Sequence, residues 1–159
     1  MVQSKTLLDN YPVVVASEII EMTRSLYKKH PEEKELFKDI LNKLFRRASD
    51  RIKVKYASED ALKFAKENGI DLANLTWDKQ TRYDKDRKIL HFEHCFPIRQ
   101  LIKRCLETDE SPESITNDNF VAWITKDENK RLDGSGFNSE RPEGWEKCYE
   151  KCGIKIHKI

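Results

Sequence analysis

The residues best suited to chemistry lie in two short stretches, HFEHCFP at residues 91–97 and NDNFVAWITKDENKR at residues 117–131. Glu93 provides a carboxylate, which suits a hard divalent cation, and His94 provides an imidazole whose ordinary pKa lies near neutrality. Asn129 provides a further oxygen ligand. Metal-assisted hydrolysis of a phosphodiester needs such a set, because a cation must be held on the phosphate and a base must deprotonate the attacking water.

Local patterns predict a unit of two strands and a helix that positions these residues. Apolar and polar residues alternate in KILHFE, which is typical of a half-buried strand, and this strand leads directly to His94. FVAWIT predicts a second strand, and KDENKRLDG predicts a helix directly after it. A short unit of this kind folds back on itself, so we expect Asn129 to return to the strand end that bears His94.

The remaining patterns predict mostly helices. Two amphipathic helices, in PVVVASEIIEMTRSLYKK and PEEKELFKDILNKLFRR, are separated by a break at HPEE. A short strand is predicted in RIKVKY, followed by a helix in EDALKFAKEN with Ser58 as its N-cap. Further helices are predicted in IRQLIKRCLE and in RPEGWEKCYEKCG.

Together these elements predict an α+β fold that is mainly helical. In this interpretation residues 1–75 form a helical N-terminal region, and residues 76–159 form the chemical module. The basic residues of LFRRASDRIKVKY predict that the N-terminal region contacts DNA, whereas the apolar faces of its helices predict that it forms a homodimer. A solubilising surface is an equal alternative for the basic segment.

The run E-H-C-F-P resembles the D-H-I-x-P signature of the HNH (ββα-metal, His-Me finger) endonuclease family, with Glu93 in place of the usual aspartate. Downstream, NDNFVAWITKDENKRL resembles the family's asparagine, second strand and metal-ligand helix, so that the resemblance covers about residues 88–135. It implies a ββα-metal module in which His94 is the general base, Glu93 the first metal ligand and Asn129 the second. Asn119 would brace the segment that bears the histidine.

The resemblance also implies a cofactor and a substrate. The cofactor would be a divalent metal, Mg²⁺ or alternatively Mn²⁺, and the substrate would be DNA, as for a phage-type or restriction-type endonuclease. The glutamate at position 93 and a connection of some two dozen residues between the two halves of the motif depart from the family pattern. These departures leave Asp127 and Glu128 as rivals to Asn129 for the second ligand position.

Each candidate residue also has an ordinary structural explanation. Glu93 and His94 could be a polar pair at a strand end, Asn119 could be a turn residue, and Asn129 could face solvent on an exposed helix. His91 lies on the same strand face as Glu93, where it could pack, support the site or bind phosphate. The motif as a whole favours catalysis.

The surrounding charges suggest one further substrate contact. Arg131 lies in a basic cluster beside the metal-ligand helix position, so we include it with His91 among the substrate-binding candidates. Charge runs on short helices are usually solvated faces, which is the alternative for Arg131.

Composition excludes several other classes. No apolar run of about 18 residues is present and the N-terminus has no secretory pattern, so we expect a cytoplasmic protein that does not enter a membrane. The four cysteines form no CxxC pair, which disfavours structural zinc. A zinc deaminase would need H-x-E followed by P-C-x-x-C, and only the first part is present, at residues 91–93. A non-catalytic DNA- or protein-binding module on a degenerate HNH core remains the main alternative.

Overall fold

The computed structural model describes residues 3–50 and 52–159, with side chains described from residue 13 onward. The helices are α1 (Gln3–Lys29), α2 (Lys34–Ser49), α3 (Glu59–Glu67), α4 (Ile98–Glu107), α5 (Pro112–Asn117), α6 (Lys126–Gly134) and α7 (Trp145–Lys151). The strands are β1 (Tyr56–Ser58), β2 (Leu90–His94), β3 (Val121–Thr125) and β4 (Ile156–Lys158). Turns of 3-10 helix cover Pro31–Glu33, Trp77–Arg82 and Lys85–Arg87. The predicted α+β class with a high helical content is confirmed.

The chain divides into two compact units. The first contains residues 1–51 and 98–119, and the second contains residues 52–97 and 120–159. The connection between β2 and β3 therefore belongs largely to the first unit, although the two strands belong to the second. The assignment of separate functions to residues 1–75 and 76–159 stays a prediction.

The first unit is a group of helices around an apolar core. Its fully buried side chains come from all four helices and include Ile20 of α1, Leu41 of α2, Leu101 of α4 and Ile115 of α5. The predicted stripe of α2 is confirmed on its core side, since Phe37, Leu41 and Phe45 are buried at spacings of four residues.

Partly buried ion pairs of Arg104 connect the end of α4 to the residues on both sides of α5. The Arg104 guanidinium lies 2.7 Å from an Asp118 carboxylate oxygen, and its Nε donates to Glu110 over 2.8 Å. Ser111 caps α5 by accepting a hydrogen bond from Ser114, as its position before a proline predicts.

The second unit is built on a four-stranded mixed sheet with strand order β2-β3-β1-β4. β2 pairs antiparallel with β3 from Leu90 opposite Thr125 to His94 opposite Val121. β1 pairs parallel with β3 and antiparallel with β4. The predicted strands KILHFE and FVAWIT and the helix KDENKRLDG are confirmed.

Apolar layers cover both faces of this sheet. α3 and the segment that follows it, including Ile70, Leu72 and Leu75, pack with Leu90 and Trp123 on one face. Leu132 of α6 and Tyr149 of α7 pack on the opposite face; they contact Ala122, Ile124 and Cys95. Adjacent residues of β2 consequently point into different layers.

The predicted strand RIKVKY and the predicted last helix differ in extent from the observed elements, and β4 was not predicted. RIKVKY was expected to be a strand, but residues 52–55 are irregular and β1 begins only at Tyr56, where pairing with β3 and β4 starts; Arg51 lies outside the described residues. The last helix begins at Trp145 rather than near Pro142, because Gly144 adopts a left-handed conformation with φ of 91°. β4 is only three residues long and has no periodic signal. None of the described helices has the length and apolar character needed to cross a membrane.

Candidate functional site

Glu93 and His94 occupy the end of β2, where they lie opposite Ala122 and Val121 of β3. The Glu93 side chain points into the layer that contains α6 and α7, as does the next odd-numbered residue, Cys95. Sequence alternation thus separates the two candidate catalytic side chains onto different faces of the strand.

The Glu93 carboxylate is held from two sides. Arg141 donates a hydrogen bond from Nη2 to Oε1, and His91 Nε2 lies 3.0 Å from Oε2. Burial alone would raise the pKa of Glu93, but the hydrogen bond from His91 and the positive charge of Arg141 outweigh it and lower the pKa. Glu93 is therefore ionised at neutral pH. Because a carboxylate only accepts hydrogen bonds, His91 donates from Nε2.

Arg141 is the most buried charged group of the site, with its side chain at 0% exposure. Besides Glu93, its Nη1 donates to the backbone oxygens of His94, over 2.8 Å, and Cys95. Its guanidinium carbon lies 5.0 Å from the centre of the Tyr149 ring. Arg141 thus ties together the last residue of β2, the residue after it and the Glu93 side chain.

His94 lies on the opposite face of β2 from Glu93. Its ring contacts the ring of Phe92 edge-on, with 6.4 Å between the centroids. The imidazole is half-buried, so solvent reaches it in part. The arrangement allows Glu93 and His94 to act on different atoms, which a metal ligand and a base for an attacking water must do.

The candidate metal ligands on α6 differ in what they contact. Asn129 is half-buried, and its Nδ2 lies 3.5 Å from Asp133 Oδ2, at the limit of a hydrogen bond. Glu128 is 2% exposed and completes a capping box with Thr125, so its carboxylate is used to begin the helix. Asp127 forms an exposed ion pair with Lys130 at 3.0 Å. Of the three, Asn129 has the side chain least engaged by other groups.

Glu128 has a second contact that the sequence does not reveal. Ser58, the N-cap of α3, donates a hydrogen bond of 2.6 Å to Glu128 Oε2 while accepting one from the backbone of Ala61. The start of α3 and the start of α6 are therefore held together by one buried carboxylate, which fixes α6 against the sheet.

The other candidate residues lie in separate surroundings. Arg131 is 47% exposed, with Nη2 at 3.8 Å from Glu128 Oε1, so its role in substrate binding stays a prediction. Asn119 belongs to the first unit and is 1% exposed. Its Nδ2 donates to the backbone oxygen of Phe45 over 3.0 Å, which ties the segment before β3 to α2. The bracing role predicted for Asn119 in catalysis is not tested by this contact.

Arg141 is the residue whose role sequence reasoning missed. It stands out in the sequence only as one more basic residue that could contact phosphate, before Pro142 and near Trp145. In the fold, Trp145 packs edge-on against Phe120 at 5.6 Å and anchors α7, and this docking places Arg141 beneath the end of β2. No local signal distinguishes such an arginine from a solvated one.

The donor chemistry of Glu93 and Asn129 fits a hard divalent cation. The described residues contain no group of three or more His, Cys, Asp or Glu side chains that could hold a metal ion. Mg²⁺ does not require one, because it keeps several waters and uses one or two carboxylates together with substrate phosphates. A carboxylate has about four lone-pair positions. Arg141 and His91 each use one on Glu93, so capacity for a cation remains.

Comparison of the chain with protein-family models, curated proteins and solved structures finds no match. The resemblance to HNH endonucleases therefore rests on the motif residues, and the function drawn from it is a proposal.

Proposed function

We propose that the chain is a metal-dependent endonuclease of the HNH type that hydrolyses DNA phosphodiester bonds, as phage-type or restriction-type enzymes do. The observation that supports this proposal is the pairing of β2 with β3, followed directly by α6, which packs against both strands. Glu93 and His94 stand at the end of β2, and Asn129 lies on the helix that turns back across the same strands. This order of elements supports the proposal of a ββα-metal module.

In the proposed reaction His94 removes a proton from a water molecule, whose oxygen forms a bond to the phosphorus atom. The P–O ester bond breaks at the same time, and the leaving oxygen takes a proton from solvent. Glu93 and Asn129 would hold the cation, Mg²⁺ or Mn²⁺. When bound, it stabilises the charge that develops on the phosphate. Asn119 braces the histidine-bearing segment, and His91 and Arg131 contribute to substrate binding. Arg141 orients Glu93 and the backbone of His94 through the hydrogen bonds described above.

A non-catalytic DNA- or protein-binding module on a degenerate HNH core is the second candidate. The observation that favours it is that both Glu93 oxygens already accept hydrogen bonds, one from Arg141 and one from His91. In that case the guanidinium takes the place of the cation, and the site has a structural role.

Cleavage of supercoiled plasmid distinguishes the two candidates. Wild type should nick or linearise the plasmid with Mg²⁺ or Mn²⁺ and should be inactive with EDTA. His94→Ala should lower the rate by about 100-fold or more, as loss of a general base does. His157→Ala, which removes an exposed imidazole from β4, is the matched control and should keep wild-type activity. Equal rates for His94→Ala and wild type would refute the mechanism, and inactivity of wild type with every divalent cation would favour the binding module.

Metal binding should be measured separately from activity. We expect Glu93→Gln and Asn129→Ala to weaken Mn²⁺ binding, followed by the loss of the free-ion electron paramagnetic resonance signal. Asp127→Asn should leave binding unchanged, because Asp127 is paired with Lys130 at the surface. Weaker binding in Asp127→Asn alone would assign the second ligand to Asp127.

A further inference from the structure

The loop before β2, residues 77–89, carries a concentration of positive charge that the candidate site does not include. We refer to it as the basic loop. It contains three acidic residues and five basic residues, Lys79, Arg82, Lys85, Arg87 and Lys88. Four of the five basic side chains are exposed, and that of Arg87 is half-buried. One of the three acidic residues, Asp84, is 3% exposed and directed inward. The outer surface of the loop is therefore more basic than the composition of the loop suggests.

Large apolar side chains are exposed between these charges. Trp77 is 43% exposed, Tyr83 52% and Ile89 41%. The Arg87 guanidinium lies 3.9 Å from the centre of the Trp77 ring, and its Nη2 donates to the Trp77 backbone oxygen over 3.3 Å. Exposed aromatic rings interleaved with cations are the combination that binds single-stranded nucleic acid, because bases stack on the rings while cations contact phosphates.

The loop is held in one conformation rather than left as a free charged segment. Asp84 accepts hydrogen bonds from the backbone nitrogens of Lys88, Ile89 and Leu90 at 2.7–3.1 Å, and Gln80 donates to Asp84 over 3.0 Å. Asp86 and Arg87, neither of them glycine, adopt left-handed conformations with φ of 59° and 51°. Such backbone conformations are unfavourable for residues other than glycine and persist where surrounding contacts impose them.

The basic loop also has a defined position relative to the candidate base. It ends at Ile89, and His94 lies five residues further along β2, or about 17 Å at the usual rise of a strand. Leu72 and Leu75, just before the loop, pack with Leu90 in the layer on the His94 face of the sheet. The segment that leads into the basic loop therefore packs on the face of the sheet that carries the imidazole.

We propose that the basic loop is a binding surface for single-stranded DNA, with bases stacked on Trp77 and Tyr83 and phosphates contacted by the surrounding lysines and arginines. The inference rests on the proposed function only for the choice of DNA as the nucleic acid. A single strand fits better than a duplex, because the bases of a duplex are already stacked on one another and cannot cover an aromatic side chain.

Fluorescence anisotropy with a fluorescein-labelled 12-nucleotide single strand tests this surface, and EDTA in the buffer separates binding from cleavage. Tyr83→Ala should weaken binding by about 5- to 150-fold, the effect of losing one stacked base. Trp77→Ala should do the same, and Trp77→Phe should recover most of the affinity, which a loss of folding would not allow. Circular dichroism confirms that each variant is folded.

The contribution of the basic side chains to DNA binding is tested by a matched pair of triple variants. Replacing Lys79, Arg82 and Lys85 by glutamine should reduce the slope of log affinity against log salt concentration by about 2. Each phosphate contact on a single strand contributes about 0.7 to this slope, and the variant removes three contacts. The control variant replaces three exposed lysines of the same unit, Lys63, Lys66 and Lys147, by glutamine. It should keep the wild-type slope.

Two results would overturn the inference. The first is an affinity for the single strand that is unchanged in both Tyr83→Ala and the basic-loop triple variant. The second is tighter binding to a duplex of the same sequence, with an affinity that neither the aromatic substitutions nor the triple variant changes. If the protein fails to cleave plasmid but still binds single-stranded DNA through the basic loop, the proposed nuclease function is wrong and the binding surface stands.

Discussion

Substitution of Arg141 by methionine should destabilise the unit formed by residues 52–97 and 120–159 by about 3–5 kcal/mol. The guanidinium is completely buried, and its partner Glu93 is 13% exposed. Methionine fills much of the same volume without the charge, so the substitution tests the ionic contacts more than the packing.

The expected magnitude follows from the groups left behind. Removing one member of a buried ion pair leaves an uncompensated charge, which costs about 3–5 kcal/mol. Glu93 keeps its hydrogen bond from His91, which places the cost toward the lower end. The backbone oxygens of His94 and Cys95 also lose a donor, and a buried acceptor without one costs about 1–3 kcal/mol. These contributions together support at least about 3 kcal/mol.

Urea unfolding followed by tryptophan fluorescence measures this effect directly. All three tryptophans, Trp77, Trp123 and Trp145, belong to the unit that contains Arg141, so the signal reports on that unit. Arg82→Met, at an exposed arginine of the same unit, is the matched control and should change the free energy of unfolding by no more than about 0.5 kcal/mol.

A double-mutant cycle separates the ion pair from other effects. Glu93→Gln with Arg141→Met removes both charges, so the double variant should be less destabilised than the sum of the single variants, by at least about 1 kcal/mol. If Arg141→Met unfolds like Arg82→Met, or if the two single effects simply add, the inferred coupling between Glu93 and Arg141 is wrong.

Two further contacts, that of Ser58 with Glu128 and that of Arg104 with Glu110, give stability predictions that do not involve His94. Ser58→Ala should cost about 2–4 kcal/mol, since it removes both a helix N-cap and a donor to buried Glu128, whereas Ser111→Ala, which removes a cap alone, should cost about 1 kcal/mol in the same denaturation assay. The hydrogen bond from Arg104 lowers the pKa of Glu110 to about 2 from 4.5, so its stabilisation is present above pH 4.5 and is lost as the pH falls toward 2. Glu110→Gln should therefore cost about 1–2 kcal/mol at pH 7, after allowance for solvent screening, and almost nothing at pH 2; a difference that does not depend on pH would contradict this.

Local signals in the sequence predicted most of the elements around the site. Alternation identified β2, and a run of β-favouring residues identified β3. The threonine just before KDENKRLDG and the glutamate within it lie at the spacing of a capping box, which is present at Thr125 and Glu128. Ser58 was correctly expected to cap α3. These features depend on interactions within a few residues, so a single stretch of sequence contains the information that they require.

The sequence by itself determined the α+β class, the two strands, the helix between Lys126 and Gly134, and the residue types on which the proposed chemistry depends. Only the tertiary structure decided that residues 98–119 join the first helices and that Arg141 lies under Glu93. The reason is that hydrophobic periodicity and capping are local, whereas the partner of a buried charge is set by the packing of distant elements. Arg141 and Glu93 are far apart in the chain, and neither carries a sign of the other in its neighbouring residues.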